Sequence, residues 1–404
     1  MMGTWLISIL LLLTPGLVWA EEWPVRVLLQ EGVSTIRLKA AGPSRLEELG
    51  GGLVEVLPPG KEVRVAWEGR AGTSFRLRPD KSLFWINRRM YRGNVEVWNT
   101  SGGLQIINQV GLEDYVRGVM KVEANPEWPI EALRAQAVVA RTYALHERLV
   151  SPEALYHLYA TTTSQVYRGV NGEDPRTNRA VRATRGIVLA YRGRIIPAFY
   201  HAASGGHTED AVYVWEKRYP FIVGVEDPYS ANAPHHQWEV TIPRAEIHQA
   251  LERVGGRMGA ILKIDVVRRT RSGRVRRLRI WDGAGFLEIE GKRFRQLLGP
   301  DRIRSTRFAV YSDGPGILFV GQGWGHGVGL SQWGAKGMAD LAYDFTAILK
   351  YYFPLADLVS LPTESPQLTV HRSPEIPGES PPGTRPTSQE IEPGLRPMTD
   401  DRRP

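Results

Sequence analysis

Residues 119–129 read VMKVEANPEWP and run directly into IEALRAQAVVARTYALHERLV at 130–150. The second stretch carries Ile130, Leu133, Ala137, Ala140, Ala144 and Leu145 at helical spacing, and its small alanines allow another backbone to pack close. Pro129 suits the first helical position, where a missing N–H costs nothing. Upstream, Leu112, Tyr115, Val116 and Val119 form one stripe of a shorter helix over Gly111 to Met120. Asn125-Pro126 forbids its simple continuation, because a residue before proline is driven out of the helical region. Glu123 therefore falls at a helix-to-helix junction, where a side chain can be aimed into a cleft. The bland alternative is a glutamate bonding backbone amides at the start of the second helix, where the dipole favours negative charge.

Working outward, residues 21–107 alternate short β-branched or aromatic runs with glycine and proline turns: VRVLL, STIRLKA, LVEVLPPG, EVRVAWEG, SFRLRP, NVEVW and LQIIN. They predict a β-rich N-terminal region with a structural or wall-binding role. Beyond the helices come TTTSQVYRGV and the strand-like GIVLAYRGRIIPAFYHAASGGHTEDAVYVW. Next is a predicted hairpin, with the apolar Ile264, Val266, Leu278 and Ile280 at strand-like spacing around the turn at Ser272-Gly273. Residues 108–361 are thus expected to form a mixed α/β domain with a cleft, making the fold class α+β. From 362 to 404 the chain turns to proline, serine, threonine and charge, a composition that predicts a disordered tail.

The chain opens with an apolar run from Trp5 to Leu13, Pro15 and the small-residue pattern Val18-Trp19-Ala20, the pattern of a leader cleaved after residue 20. Left uncleaved, it would serve as a membrane anchor. There is no cysteine, which excludes disulfides and lipoprotein attachment and leaves the core to hold an exported chain together. The net charge of +8 calls for an anionic neighbour, and outside the cytoplasm that is cell-wall polymer or lipid headgroup rather than nucleic acid. Seven arginines crowd Arg268 to Arg279, either as the solvated basic face of the hairpin or as a dock for an anionic polymer.

Two loops carry unusual chemistry. GQGWGHGVGLSQWGA at 321–335 matches neither the phosphate-binding P-loop nor the dinucleotide fingerprint. Glycine at that density allows close backbone approach, Trp324 and Trp333 offer flat faces to sugar rings, and His326 can carry a proton or orient a substrate. A tight structural loop with buried tryptophans is the competing reading. In YHAASGGHTEDAVYVW at 200–215, His201 and His207 with Glu209 or Asp210 make an incomplete metal set. Ser204 lacks the G-x-S-x-G setting of a nucleophile elbow.

Taken together, GLEDYVRGVMKVEANPEWPIEALRAQAVVARTYAL, SQVYRG, YHAASGGHTEDAVYVW, YPFIVGVEDPYS and GQGWGHGVGLSQWGA resemble, in order and spacing, the sporulation stage II protein D family, or SpoIID/LytB domain. The likeness runs from Asn108 to Pro354. It implies a peptidoglycan lytic transglycosylase outside the cytoplasmic membrane, acting preferentially on glycan stripped of stem peptides, with its catalytic glutamate at Glu123. The alternative, from members described as amidase enhancers, is a non-enzymatic wall-binding role with a cell-wall amidase as partner; the chain keeps the glutamate, so the enzyme ranks first. Arg141, Gln165, Tyr167, His201, Ser204, Trp324, His326, Ser331 and Gln332 are the expected glycan-binding residues. Some family members carry zinc on cysteine and histidine. This chain has no cysteine, so no cofactor is expected, and metal-dependent hydrolysis through His201 and His207 ranks last. Glu123 needs a raised pKa to act as an acid near neutrality. Met120, Val122 and Trp128 supply apolar neighbours, Glu127 would add like-charge pressure, and Lys121 would oppose it.

Overall fold

The structure is a computed structural model that describes residues 23–362 except 81, 82, 235, 313 and 315. The expected leader and the tail beyond Pro362 lie outside the described residues. The N-terminal strands are β1 (Val25–Val33), β2 (Thr35–Ala40), β3 (Ser44–Glu48), β4 (Leu53–Leu57), β5 (Glu62–Ala66), β6 (Phe75–Pro79), β7 (Phe84–Ile86), β8 (Arg89–Tyr91), β9 (Asn94–Thr100) and β10 (Gly103–Val110). The alternation predicts all but β3, β7 and β8, which are too short or too polar to announce themselves and are strands because of the partners they pair with. α1 (Leu112–Glu123) and α2 (Ile130–Val150) follow, then β11 (Leu158–Tyr159), α3 (Pro175–Ala183), β12 (Ile187–Tyr191), β13 (Arg194–Ile195), β14 (Tyr200–His201) and the short α4 (Val212–Trp215).

One sheet runs β11-β1-β10-β9-β6-β3-β4 and a second β5-β2-β7-β8. Val25, Val27, Ile36, Leu38, Phe84 and Ile106, all buried on these strands, share one apolar cluster with Leu112, Val116 and Val119 of α1 and Leu133, Ala137 and Ala144 of α2. The β-rich region therefore has no core separate from the helices. α2 packs on both sides, since Ala135, Val138 and Val139 belong to another cluster with Leu189, Ile196, Leu330, Met338 and Leu349. Its alanines allow this, as small side chains bring backbones close on every face. Pro129 is the N-cap of α2, one residue before the position the sequence predicts, and no side chain caps that end.

The remaining elements are β15 (Gln237–Pro243), α5 (Arg244–Glu252), β16 (Lys263–Arg269), β17 (Val275–Trp281), β18 (Phe286–Glu290), α6 (Gly291–Leu298), β19 (Phe308–Tyr311), β20 (Gly316–Gln322), β21 (Leu330–Ser331), α7 (Gln332–Asp340), α8 (Phe345–Tyr352) and β22 (Asp357–Ser360). The predicted hairpin is present, with Ile264 opposite Ile280 and Val266 opposite Leu278. β15 to β20 form an inserted unit with its own core, built on Ile242, Leu251, Ile264, Leu278, Phe294 and Phe319. β15 and β20 pair from Gln237↔Gln322 to Pro243↔Gly316, so the unit leaves and rejoins the main body at one place. Among the described residues no helix is long and apolar enough to cross a membrane.

Candidate active site

Glu123 is the last residue of α1, and the chain leaves the helix at Ala124 in extended conformation. The Glu127 amide donates to Asn125 Oδ1 (2.9 Å) and the Trp128 amide to the Asn125 carbonyl (3.0 Å), closing the turn that Asn125-Pro126 requires. The Glu123 carboxyl does not cap α2. Its Oε1 accepts from the Val166 amide at 2.7 Å, in the loop that carries SQVYRG. Burial pushes its pKa above the ordinary 4.5, opposed by hydrogen bonds from the Val166 amide and the Tyr200 hydroxyl. Neither Glu127 nor Lys121 is among the groups that set this pKa. Glu127 is exposed and paired with Arg176. Of the expected apolar neighbours, Met120 and Trp128 are buried, while Val122 is 44% exposed.

Around the carboxyl the structure gathers residues from five segments. Gln165 Nε2 donates to Tyr200 Oη (3.2 Å), and Tyr115 Oη donates to Gln165 Oε1 (3.1 Å), so the Tyr200 phenol is held in place. Burial and the Glu123 charge push the Tyr200 pKa well above 10.0, so its hydroxyl stays a donor. Gln332, first in α7, donates from Nε2 to the Glu123 carbonyl (2.8 Å) and ties the end of α1 to the start of α7. The Trp128 and Trp333 rings meet edge to face at 5.2 Å, Trp333 half-buried. The expected glycan-binding residues do not include Tyr200. Its place depends on the parallel pairing of β14 with β21 (Tyr200↔Leu330, His201↔Ser331), which no local pattern announces.

The other nominated residues lie elsewhere. Arg141 is fully buried and grips Glu113 through Nε and Nη2, both at 2.8 Å, while Nη1 donates to the Ile187 carbonyl (3.2 Å). It bolts α2 to α1 and β12. Tyr167 donates to Asn108 Oδ1 (2.9 Å) from beneath Gly118 of α1. Ser204 donates to Asp227 Oδ2 (2.6 Å), Tyr352 donates to Oδ1 of the same carboxylate (2.8 Å), and Ser331 Oγ accepts from the Ser204 and Gly334 amides. This buried network ties the SGG loop to the start of α7. His201 Nδ1 lies 3.2 Å from the Val328 carbonyl, and His207 Nδ1 lies 2.5 Å from that of Thr208. Asp210 Oδ1 accepts from the Gly224 amide (2.7 Å). Among the described residues no three His, Asp or Glu side chains form a metal-sized group.

The two glycine-bearing loops cross backbone on backbone. A Cβ on Gly323, whose φ is +79°, would lie 2.6 Å from the Ala203 carbonyl oxygen. Trp324 pairs with Ala203 through both backbone groups, and its ring lies 5.4 Å from the Arg304 guanidinium. His326 Nδ1 accepts from the Val328 amide (3.0 Å), and the ring also bonds the Tyr200 backbone. Burial, helped by the charges of Arg274 and Arg295, lowers the His326 pKa to about 3. At neutral pH it is an uncharged brace holding the loop to β14.

A family model described as Stage II sporulation protein matches residues 100–191, which hold Glu123, Gln165 and Val166. A second, described as a domain of unknown function, matches residues 213–329, which hold the inserted unit. An uncharacterized protein of Brachyspira hyodysenteriae is 34% identical over 277 residues, 68% of this chain and 74% of its own. Stage II sporulation protein D of Bacillus amyloliquefaciens is 29% identical over 66% of this chain and 78% of its own. The amidase enhancer of Bacillus subtilis is 26% identical over 61% of this chain, but the match spans only 40% of that longer protein. The chain belongs to the stage II sporulation protein D family.

Proposed function

We propose that this protein is a peptidoglycan lytic transglycosylase that works with Glu123 as its single proton carrier. The supporting observation is a half-buried carboxyl of raised pKa, contacted by one backbone amide and one phenol, with no other acid among the groups that set its pKa. Hydrolytic glycosidases use two carboxylates. A transglycosylase needs one. Protonated Glu123 gives its proton to the glycosidic oxygen as the bond from that oxygen to C1 of N-acetylmuramic acid breaks. The resulting carboxylate takes the C6 hydroxyl proton as O6 bonds to C1, leaving a 1,6-anhydro sugar and a free 4-hydroxyl on N-acetylglucosamine. Tyr200 stabilises the carboxylate stage, Gln165 holds Tyr200, and Gln332 fixes the Glu123 backbone. Trp333, half-buried against Trp128 and next to Gln332 in the chain, is the ring proposed to meet the sugar. With this reading goes export, residues 1–20 acting as leader.

The test is release of anhydro-sugar ends from purified peptide-free glycan, followed by mass spectrometry. Glu123→Gln keeps the shape and the acceptor but carries no proton, so the rate should fall roughly 100-fold to 10,000-fold. Equal rates at matched folding would sink the proposal. The match to an amidase enhancer favours a second reading, in which the chain only holds glycan for an amidase. That reading predicts intact glycan and an amidase stimulation that Glu123→Gln leaves unchanged.

A further inference from the structure

Where α4 faces the inserted unit there is a cavity of about 260 Å³, lined by Tyr213, Trp215 and His326 on one side and by Thr270, Arg274 and Arg295 on the other. Arg274, read from sequence as part of a basic hairpin face, is only 2% exposed. Its Nη2 donates to the Ser204 carbonyl (2.8 Å), and its plane lies against Gly327, where a Cβ would come within 2.4 Å of Nη2. Nε and Nη1 are buried and have no hydrogen-bond partner.

Among the acids of the cavity, Glu209 lies near enough for its charge to oppose the burial that lowers the Arg274 pKa to about 10, but it makes no hydrogen bond to Nε or Nη1. Glu209 accepts the hydroxyls of Thr270 (2.5 Å) and Ser272 (2.8 Å), and Lys292 takes Glu216 (2.6 Å) and Glu290 (3.3 Å). Arg295 is occupied by the carbonyls of Ile303 (2.8 Å) and Arg304 (3.1 Å). A buried cation with unused donors is costly unless something supplies the missing acceptor. Of the rings beside it, Trp215 is 41% exposed, and Tyr213 has one face covered by the Arg276 guanidinium at 5.1 Å and the other left for a ligand to meet. A bare inorganic anion has no use for such faces, whereas a sugar does.

We propose that this cavity is a second, non-catalytic binding site for a carboxylate-bearing sugar, with Arg274 as anion partner and Tyr213 and Trp215 as the rings that cover the sugar. The sugar class rests on the glycan reading above. Strands without stem peptides present such a group on muramic acid, as the free lactyl carboxylate. Bound there, a strand would be held by its charge at Arg274, and strands whose carboxylates are capped by peptide would be held less well.

The test is a ligand-observed NMR titration of the full chain with N-acetylmuramic acid, N-acetylglucosamine, which lacks the carboxylate, and N-acetyl-alanyl-alanine, which lacks the sugar. N-acetylmuramic acid should bind at least roughly tenfold more tightly than either, the scale of one hydrogen bond to a charged group. Binding should be lost in Arg274→Gln and in Trp215→Ala, and weakened in Arg276→Glu, an exposed rim position that decides the matter if Arg274→Gln does not fold. Equal affinity for the neutral sugar would overturn the proposal, as would equal affinity for the dipeptide or binding that survives Trp215→Ala and Arg276→Glu. The titration reads binding and the glycan assay reads cleavage, so a failed cleavage assay and a failed cavity are told apart.

Discussion

Glu123 couples activity to stability through one proton. Burial makes the folded carboxyl hold its proton more tightly than the unfolded one, so ionising it costs stability. The contribution is fully present below the unfolded pKa of about 4.3 and is lost as pH rises through the raised folded value. Glu123→Gln should therefore melt higher than wild type at pH 7 to 8, and the gap should close as pH falls below about 4.3. Thermal melts across that range check it, and a variant less stable at pH 8 would contradict it. Tyr200→Phe removes the hydroxyl that favours the ionised form, so the alkaline limb of the cleavage profile should move to higher pH, with the rate down roughly tenfold. An unmoved limb would show that Tyr200 does not touch the working carboxyl.

At the scale of elements, α1 aims Glu123, and Gly118 sets how closely α1 sits on its neighbours. By helix propensity Gly118→Ala should gain about 1 kcal/mol. The added Cβ would lie 2.4 Å from the Tyr167 ring and 3.0 Å from the Gly169 carbonyl oxygen, in a place with no room to yield. Crowding of that kind costs about 1–3 kcal/mol, so a net loss is expected, read by urea unfolding, together with slower cleavage as the end of α1 shifts. The helices themselves were legible: the stripe Leu112, Tyr115, Val116 and Val119 and the break at Asn125-Pro126 bracket α1 to within a few residues. The two-sided burial of α2 was not. An alanine shows the same face to either neighbour, so spacing alone names one buried stripe and is silent on the other.

The whole molecule divides where β15 and β20 meet. Residues 237–322 contain their own apolar core and begin and end on one antiparallel pair. Expressed alone they should unfold in a single cooperative step, by circular dichroism against urea. Absence of a transition would mean that the unit depends on the anchors from Arg274 to Ser204 and from Thr270 and Ser272 to Glu209.

What the sequence by itself determined is what local chemistry dictates: the α+β class, the strand-rich start, the helix junction that isolates Glu123, the hairpin, and the family, carried by motifs in order. What only the tertiary structure decided is which distant residues share a site. Tyr200 reaches Glu123 because β14 pairs with β21, and Gln332 reaches it because α7 starts where that pair ends. Arg141, Tyr167 and Ser204 sit in the same motifs yet turn inward to buried partners. The physical reason is that a motif records which residues a fold needs near one another. Whether a given side chain then faces solvent or core depends on burial and pairing across the chain, which adjacent residues do not encode.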